Sequence, residues 1–225
     1  MKTTVFLASA FILAFLSCKK NINDNSLPYY QFTQEDKSKL LVSYDIGKEL
    51  IYKNQNNQEI RFKVISSVNG QTSYSTGTFW GNYVQVQFYY DRQEVMMQYA
   101  EGYTSSNCDI TLERYPLASD YQIQNPVMGT QAFITYIQFP LWNTYRDSLS
   151  LNNTIFIDFN SGTTSMTING KTYSKVRILQ SGSTQILEPN NTLPLLPKNV
   201  NKIYYDQNAG IIGFDDVNEN MWRLQ

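Results

Sequence analysis

Apolar residues in this chain recur at alternate positions over short runs, and Asn, Asp, Gly or Pro break the runs every eight to twelve residues or so. No segment of about ten residues or more carries a clear helical period. A parallel sheet needs crossover helices, so this spacing predicts antiparallel strands. The run YVQVQFYY at 83–90 places Val84, Val86, Phe88 and Tyr90 on one face. Tyr83, Gln85, Gln87 and Tyr89 fall on the other. Residues 49–53 and 59–67 also alternate, joined by the turn-rich Asn54-Gln55-Asn56-Asn57. Asn69-Gly70 and Asn169-Gly170 both predict hairpins, because Asn-Gly supplies the positive φ of a type I′ turn. Asp91-Arg92-Gln93 predicts a further turn. Strands are expected over 94–101, 109–115, 132–139, 154–159, 165–168, 171–180, 202–206, 210–215 and 220–224. The segment 28–41 is the one helical candidate, with Thr33 as N-cap and Glu35 and Asp36 in the first turn.

The fold class expected is all-β: a curved antiparallel meander or half-barrel, with a two-sheet sandwich as the alternative. Long open edges invite aggregation, so the sheet must close, curl or be covered. Residues 28–225 form one domain in this reading. Pro116, Pro126 and Gly129 mark a connection between two halves at 116–131. Residues 141–153 are ambiguous, and the three prolines within 188–201 predict a surface loop.

Composition removes several function classes. The 225 residues carry a formal net charge of −1, with 42% hydrophobic and 14% aromatic residues, two cysteines and no histidine. The hydrophobic share is too high for a disordered chain, and the charge is too neutral for a nucleic-acid binder. Without histidine there is no Ser-His-Asp, Cys-His or His-ligated metal arrangement. No metal and no cofactor is expected.

The N-terminus has its own logic. Lys2 precedes the apolar run Val5–Leu16, VFLASAFILAFL, and then come Ser17 and Cys18. Such a run spans roughly 18 Å as a helix, well short of the bilayer core of about 30 Å, and fits a signal-peptide core. Phe15-Leu16-Ser17-Cys18 resembles a bacterial lipobox, although Phe15 departs from the usual Leu, Val or Ile. The resemblance implies cleavage after residue 17, a diacylglyceryl thioether on Cys18 and an acylated N-terminus, palmitate being a typical chain. Two or three acyl chains give stable anchoring where one does not. Residues 18–27 then read as a lipid-anchored flexible tether, and removal of 1–17 moves the formal charge from −1 to −2. Lys19 and Lys20, rather than acidic residues, follow the cysteine. For a bacterial lipoprotein this implies a cell-envelope location on the outer membrane, facing the periplasm, with exposure at the cell surface as the alternative. With Cys18 lipidated, Cys108 has no disulfide partner and reads as a small buried residue.

The C-terminal region carries a second resemblance. Ile203-Tyr204-Tyr205-Asp206, Gly210-Ile211-Ile212-Gly213-Phe214 and Trp222-Arg223-Leu224 are similar to a strand pattern of uncharacterised Bacteroidota lipoproteins. Phe32-Thr33-Gln34-Glu35-Asp36, Gly47 and Tyr52-Lys53-Asn54 resemble their N-terminal halves. The resemblance implies a curved sheet and brings no activity, since a fold does not carry a function with it.

Few constellations suggest chemistry. Asp215-Asp216-Val217-Asn218-Glu219-Asn220 concentrates oxygen atoms, but the spacing is not that of an EF-hand, and a polar hairpin turn explains it. Nothing marks Glu94, Glu101, Asp109 or Glu113 as buried, so no catalytic residue is assigned. Aromatic residues fill strands and cores and can also line grooves. Trp80, Tyr83 and Tyr89 are the ligand-binding candidates. Asp147-Ser148-Leu149 resembles a periplasmic O-glycosylation acceptor, with Ser148 modified. The function expected is a membrane-anchored, non-catalytic binding or interaction module. A carrier of an apolar ligand in a half-barrel is the alternative, and a carboxylate-dependent hydrolase the third reading.

Overall fold

The computed structural model describes residues 27–42, 44–76, 84–100, 107–116, 131–139, 144–145, 151–152, 154–180, 200–216 and 218–225. The chain enters through the short strand β1 (Tyr29–Tyr30) and one turn of helix, α1 (Gln34–Lys37). Thr33 caps that helix as expected: its hydroxyl accepts from the Asp36 amide, and the Asp36 carboxylate accepts from the Thr33 amide. Strands follow: β2 (Glu49–Lys53), β3 (Glu59–Thr76), β4 (Gln85–Tyr99), β5 (Asn107–Pro116), β6 (Gln131–Gln138), β7 (Thr144–Tyr145), β8 (Leu151–Asn152) and β9 (Thr154–Phe156). The chain continues through β10 (Thr164–Ile168), β11 (Lys171–Gln180), β12 (Val200–Asp206), β13 (Gly210–Asp216) and β14 (Met221–Leu224).

Eleven strands hydrogen-bond in the order β10-β11-β12-β13-β14-β2-β3-β4-β5-β6-β9, every pair antiparallel. The sheet curls into a half-barrel. The C-terminal strand β14 pairs with β2, so the chain ends in mid-sheet between β13 and β2. β5 and β6 are hydrogen-bonded neighbours, so the sheet runs unbroken across the expected midpoint. β1 adds to β4 in parallel, and β7 and β8 pair with each other.

The concave side holds the main core. Tyr52, Phe62, Val64, Met97, Ile110, Ile137, Ile203, Tyr205 and Phe214 are buried there; along β2, the first half of β3 and β4 such residues alternate with exposed or half-buried ones, whereas β13 is buried on both faces. Phe139 links the two flanks of the curl, 5.7 Å from Phe62 and 5.2 Å from Phe214 between ring centroids. Cys108 is fully buried in this core, where burial pushes its thiol pKa well up.

Two expected turns are strand instead. Asn69 and Gly70 lie inside β3, opposite Gln93 and Arg92 of β4. Asp91-Arg92-Gln93 likewise lies inside β4. The reason is pairing: a partner strand reaching from Gln85 to Tyr99 outweighs a two-residue preference. Asp91 also has a docking role. Its carboxylate accepts from the Tyr29 hydroxyl at 2.5 Å and the Phe32 amide at 2.8 Å, holding the N-terminal segment against β4. Asn169-Gly170 does turn the chain, with φ of 50° and 80°, as a type I′ hairpin requires.

Candidate functional site

The segment before β2 is clamped across one end of the half-barrel. Gln93, a buried side chain, bonds both the amide and the carbonyl of Leu41, at 2.8 and 2.9 Å. The Gln207 amide group donates to the Ser38 carbonyl at 2.9 Å. Tyr44 donates from its hydroxyl to the Ala209 carbonyl in the β12–β13 turn. That turn is set by Asp206, whose Oδ1 accepts from the Asn208 and Ala209 amides at 3.0 Å each. Gly210 closes it at φ +75°, and a β-carbon there would run into the Tyr44 hydroxyl.

This docking leaves a cleft of about 380 Å³ between the Tyr44 segment, β2, the start of β11 and the β12–β13 turn. Leu50, Leu224, Ala209 and Val42 give it an apolar lining. Two lysines flank it. Lys48 follows the positive-φ Gly47, and its backbone is tied to Val64 of β3 at 2.9 Å. Lys171 is the first residue after the Asn169-Gly170 turn, and Asn169 bonds the Leu224 carbonyl at 2.8 Å. Both ammonium groups therefore hang from fixed backbone.

Each ammonium sits over a tyrosine ring. Lys48 Nζ is 5.4 Å from the Tyr44 ring centroid, and Lys171 Nζ is 5.0 Å from that of Tyr173. Neither lysine has a carboxylate within ion-pair distance among the described residues. Asp206 is the acid in the lining, and one of its oxygens is committed to the turn. Burial drives the Tyr44 hydroxyl pKa up, so Tyr44 stays neutral and its hydroxyl keeps donating.

A second cleft, about 340 Å³, lies beside α1. Its charges are matched: Lys39 pairs with Glu35 at 2.6 Å, and Arg114 with Asp36 at 3.4 Å. Lys39 Nζ also lies 5.5 Å from the Phe133 ring and 5.6 Å from that of Phe159.

The acids judged unremarkable in sequence are gathered on one face of β4 and β5. Glu94 lies opposite Thr111, between Asp109 and Glu113. Arg92 holds Glu94 at 2.5 Å and Glu113 at 3.9 Å. Asp109 and Glu113 are half-buried, a correction to the expectation, because the outer face of these strands is covered as well as the concave one. Burial, and then Glu94, raise the Asp109 pKa to about 6; burial raises that of Glu113. None of these acids lines either cleft. Asp215 and Asp216 are used locally. Asp215 binds Arg223 at 2.7 Å and the Tyr204 hydroxyl at 2.6 Å, and Asp216 accepts from Asn218 and Asn220.

Among the sequence candidates, Tyr89 is half-buried in β4 opposite Ser73, and its amide donates to the Pro28 carbonyl at 2.8 Å. It lines neither cleft. Its neighbours Phe88 and Tyr90 join Tyr30, Tyr74 and Tyr115 in a separate ring cluster. Cys18, Trp80, Tyr83, Glu101 and Ser148 lie outside the described residues. Sequence reasoning missed Lys48 and Lys171. The available signal was Lys171-Thr172-Tyr173, since alternate positions on a strand put an ammonium and a ring on one face.

Fold and cleft define a half-barrel β domain with a lateral, cation-flanked cavity. Comparison with protein-family models, with curated proteins and with solved structures finds no match to this chain.

Proposed function

We propose that this chain is a membrane-anchored, non-catalytic binding module that takes a small ligand in the cleft beside the β10–β11 hairpin. The observation carrying the reading is the pair of lysines left without acids around a cavity on fixed strands. Its volume lies at the low end of small-molecule sites, roughly 300–1,000 Å³. The ring-packed interior around Phe62, Phe139 and Phe214 favours a lateral site over a lumen for an apolar cargo. The acids of β4 and β5 stand away from the cleft, which favours binding over hydrolysis. The anchor in this proposal is lipid on Cys18, holding the domain to the outer membrane on its periplasmic side.

Two measurements test the proposal. Palmitate labelling of the expressed protein should be lost in Cys18→Ser, which should also leave the membrane fraction; labelling that persists removes the anchor. Ligand-observed NMR of a small-molecule panel should give hits that vanish when Ser174→Trp fills the cleft. An empty screen, or hits indifferent to that substitution, overturns the site.

A further inference from the structure

We infer that the ligand of this cleft is a small organic anion, with its oxyanion between Lys48 and Lys171 and its apolar body on Leu50 and Leu224. The inference rests on the cleft being the binding site and adds the chemistry of what enters.

Three observations favour an anion over a neutral ligand. The first is charge. Two ammonium groups flank the cavity without a carboxylate of their own among the described residues, while Asp206 has an oxygen engaged by the turn amides. Lys37, Lys63, Lys175 and Lys202 also have no acid within ion-pair distance among the described residues, but they line neither cleft, so the combination of free ammonium groups and a cavity is particular to Lys48 and Lys171. An oxyanion between two ammoniums gains charge-assisted hydrogen bonds that a neutral group lacks.

The second is the use of the rings. A sugar face would stack on an open tyrosine, but Tyr44 and Tyr173 already carry the lysine ammoniums. Their negative faces hold the cations in place and so cut the entropy lost when a ligand binds. The third is size. About 380 Å³ with an apolar patch suits one ring or a short chain and excludes a diacyl lipid.

The experiment uses full-length protein in detergent, with binding read by NMR titration. Matched probes separate charge from shape: benzoate against benzamide, hexanoate against hexanamide, and inorganic phosphate for a head without a body. The acids should bind about tenfold more tightly than the amides, and more tightly than phosphate. Raising salt from about 0.05 to 0.5 M should weaken the acids selectively. Lys48→Met and Lys171→Met should each lower benzoate affinity about threefold, and together about tenfold. Arginine at either position should restore much of it, and Lys63→Met, away from the cleft, should change nothing. Unchanged thermal midpoints will show that the variants fold. Amides that bind as well as acids, with no effect of the lysine changes, overturn the anion while leaving the binding site standing. If neither acids nor amides bind, the site reading itself falls.

Discussion

The cleft beside α1 and the cleft beside the β10–β11 hairpin differ little in volume, about 340 and 380 Å³, and each contains two cations and aromatic side chains. What separates them is bookkeeping of charge. Both cations lining the cleft beside α1 have an acid: Lys39 has Glu35 and Arg114 has Asp36. Around the hairpin Lys48 and Lys171 have rings beneath them and no acid. Asp109 is the converse case, an acid half-buried on the sheet whose Oδ1 has no partner in the protein. Burial and Glu94 raise its pKa to about 6, so it holds its proton only below that pH. Among the described residues, lysines without an acid also stand away from both clefts, Lys63 and Lys202 among them, so what sets Lys48 and Lys171 apart is that they flank a cavity a ligand can enter.

The largest effect should come from breaking the wall of the open cleft. Gly210→Ala forces an L-residue to φ +75° and sets a β-carbon against the Tyr44 hydroxyl. The left-handed backbone costs about 1–2 kcal/mol, and displacing buried Tyr44 raises the total to about 3–4 kcal/mol. Thermal unfolding should move down by roughly 10 °C, with loss of anion binding even where the variant stays folded. A midpoint within a degree or two of the parent would show that Tyr44 does not hold this wall.

Next in size is a substitution that removes one of the two acids paired with cations in the α1 cleft. Asp36 is 2% exposed; its carboxylate accepts from the amide of the capping residue Thr33 and faces Arg114. Asp36→Ala removes the carboxylate half of the Thr33 capping box, about 1 kcal/mol, and part of a buried ion pair, for about 2–3 kcal/mol in all. The same variant should bind benzoate beside α1, seen as a second set of perturbed resonances around Phe133 and Phe159. If the α1 cleft stays empty, missing acids are not what makes a cleft receptive, and the contrast between the two clefts loses its cause.

Asp109 gives a pH test of the neutralised state. Its folded pKa, about 6, exceeds the ordinary value near 3.9. Between those values the folded protein keeps a proton that the unfolded chain has released. Stability from this group is therefore fully present below about pH 4 and is lost as pH rises through 6. Asp109→Asn should flatten that slope in denaturant titrations between pH 4 and 7. At pH 7 it should gain about 1 kcal/mol, a figure discounted for the solvent that still reaches the site. A slope unchanged by the substitution would place the titration elsewhere.

Much of the architecture was legible as pattern. Alternation pointed to the strands, Thr33 to the cap and Asn169-Gly170 to the hairpin that delivers Lys171. The cleft was not legible, because a lysine's lack of a partner is a three-dimensional property. Lys48 and Lys171 stand far apart in the chain, and three strands separate β11 from β2 in the sheet, so it takes the β14–β2 pairing, the curl of the sheet and the Asn169–Leu224 bond to bring them to one cleft. Nor does alternation foretell which acids become buried, as Asp109 and Glu113 did when their second face was covered. Gln93 shows the same limit. It reads as a turn residue, yet its buried amide group is what clamps Leu41.

The smallest expected effect isolates why one Asn-Gly was legible and the other misleading. Both glycines have open space where a β-carbon would go, so only the backbone differs. Gly170 sits at φ +80° beside the open cleft, whereas Gly70 has no positive φ and lies opposite Arg92 in mid-strand. Gly170→Ala should cost about 1 kcal/mol, through the left-handed penalty, and should loosen Lys171 enough to weaken benzoate binding slightly. Gly70→Ala should be neutral or stabilising by up to about 1 kcal/mol, since it removes unfolded-chain freedom without strain. Urea unfolding of the two variants side by side measures the difference. Equal destabilisation by both would mean that Gly70 retains a turn in the folded protein and that β3 does not run through it.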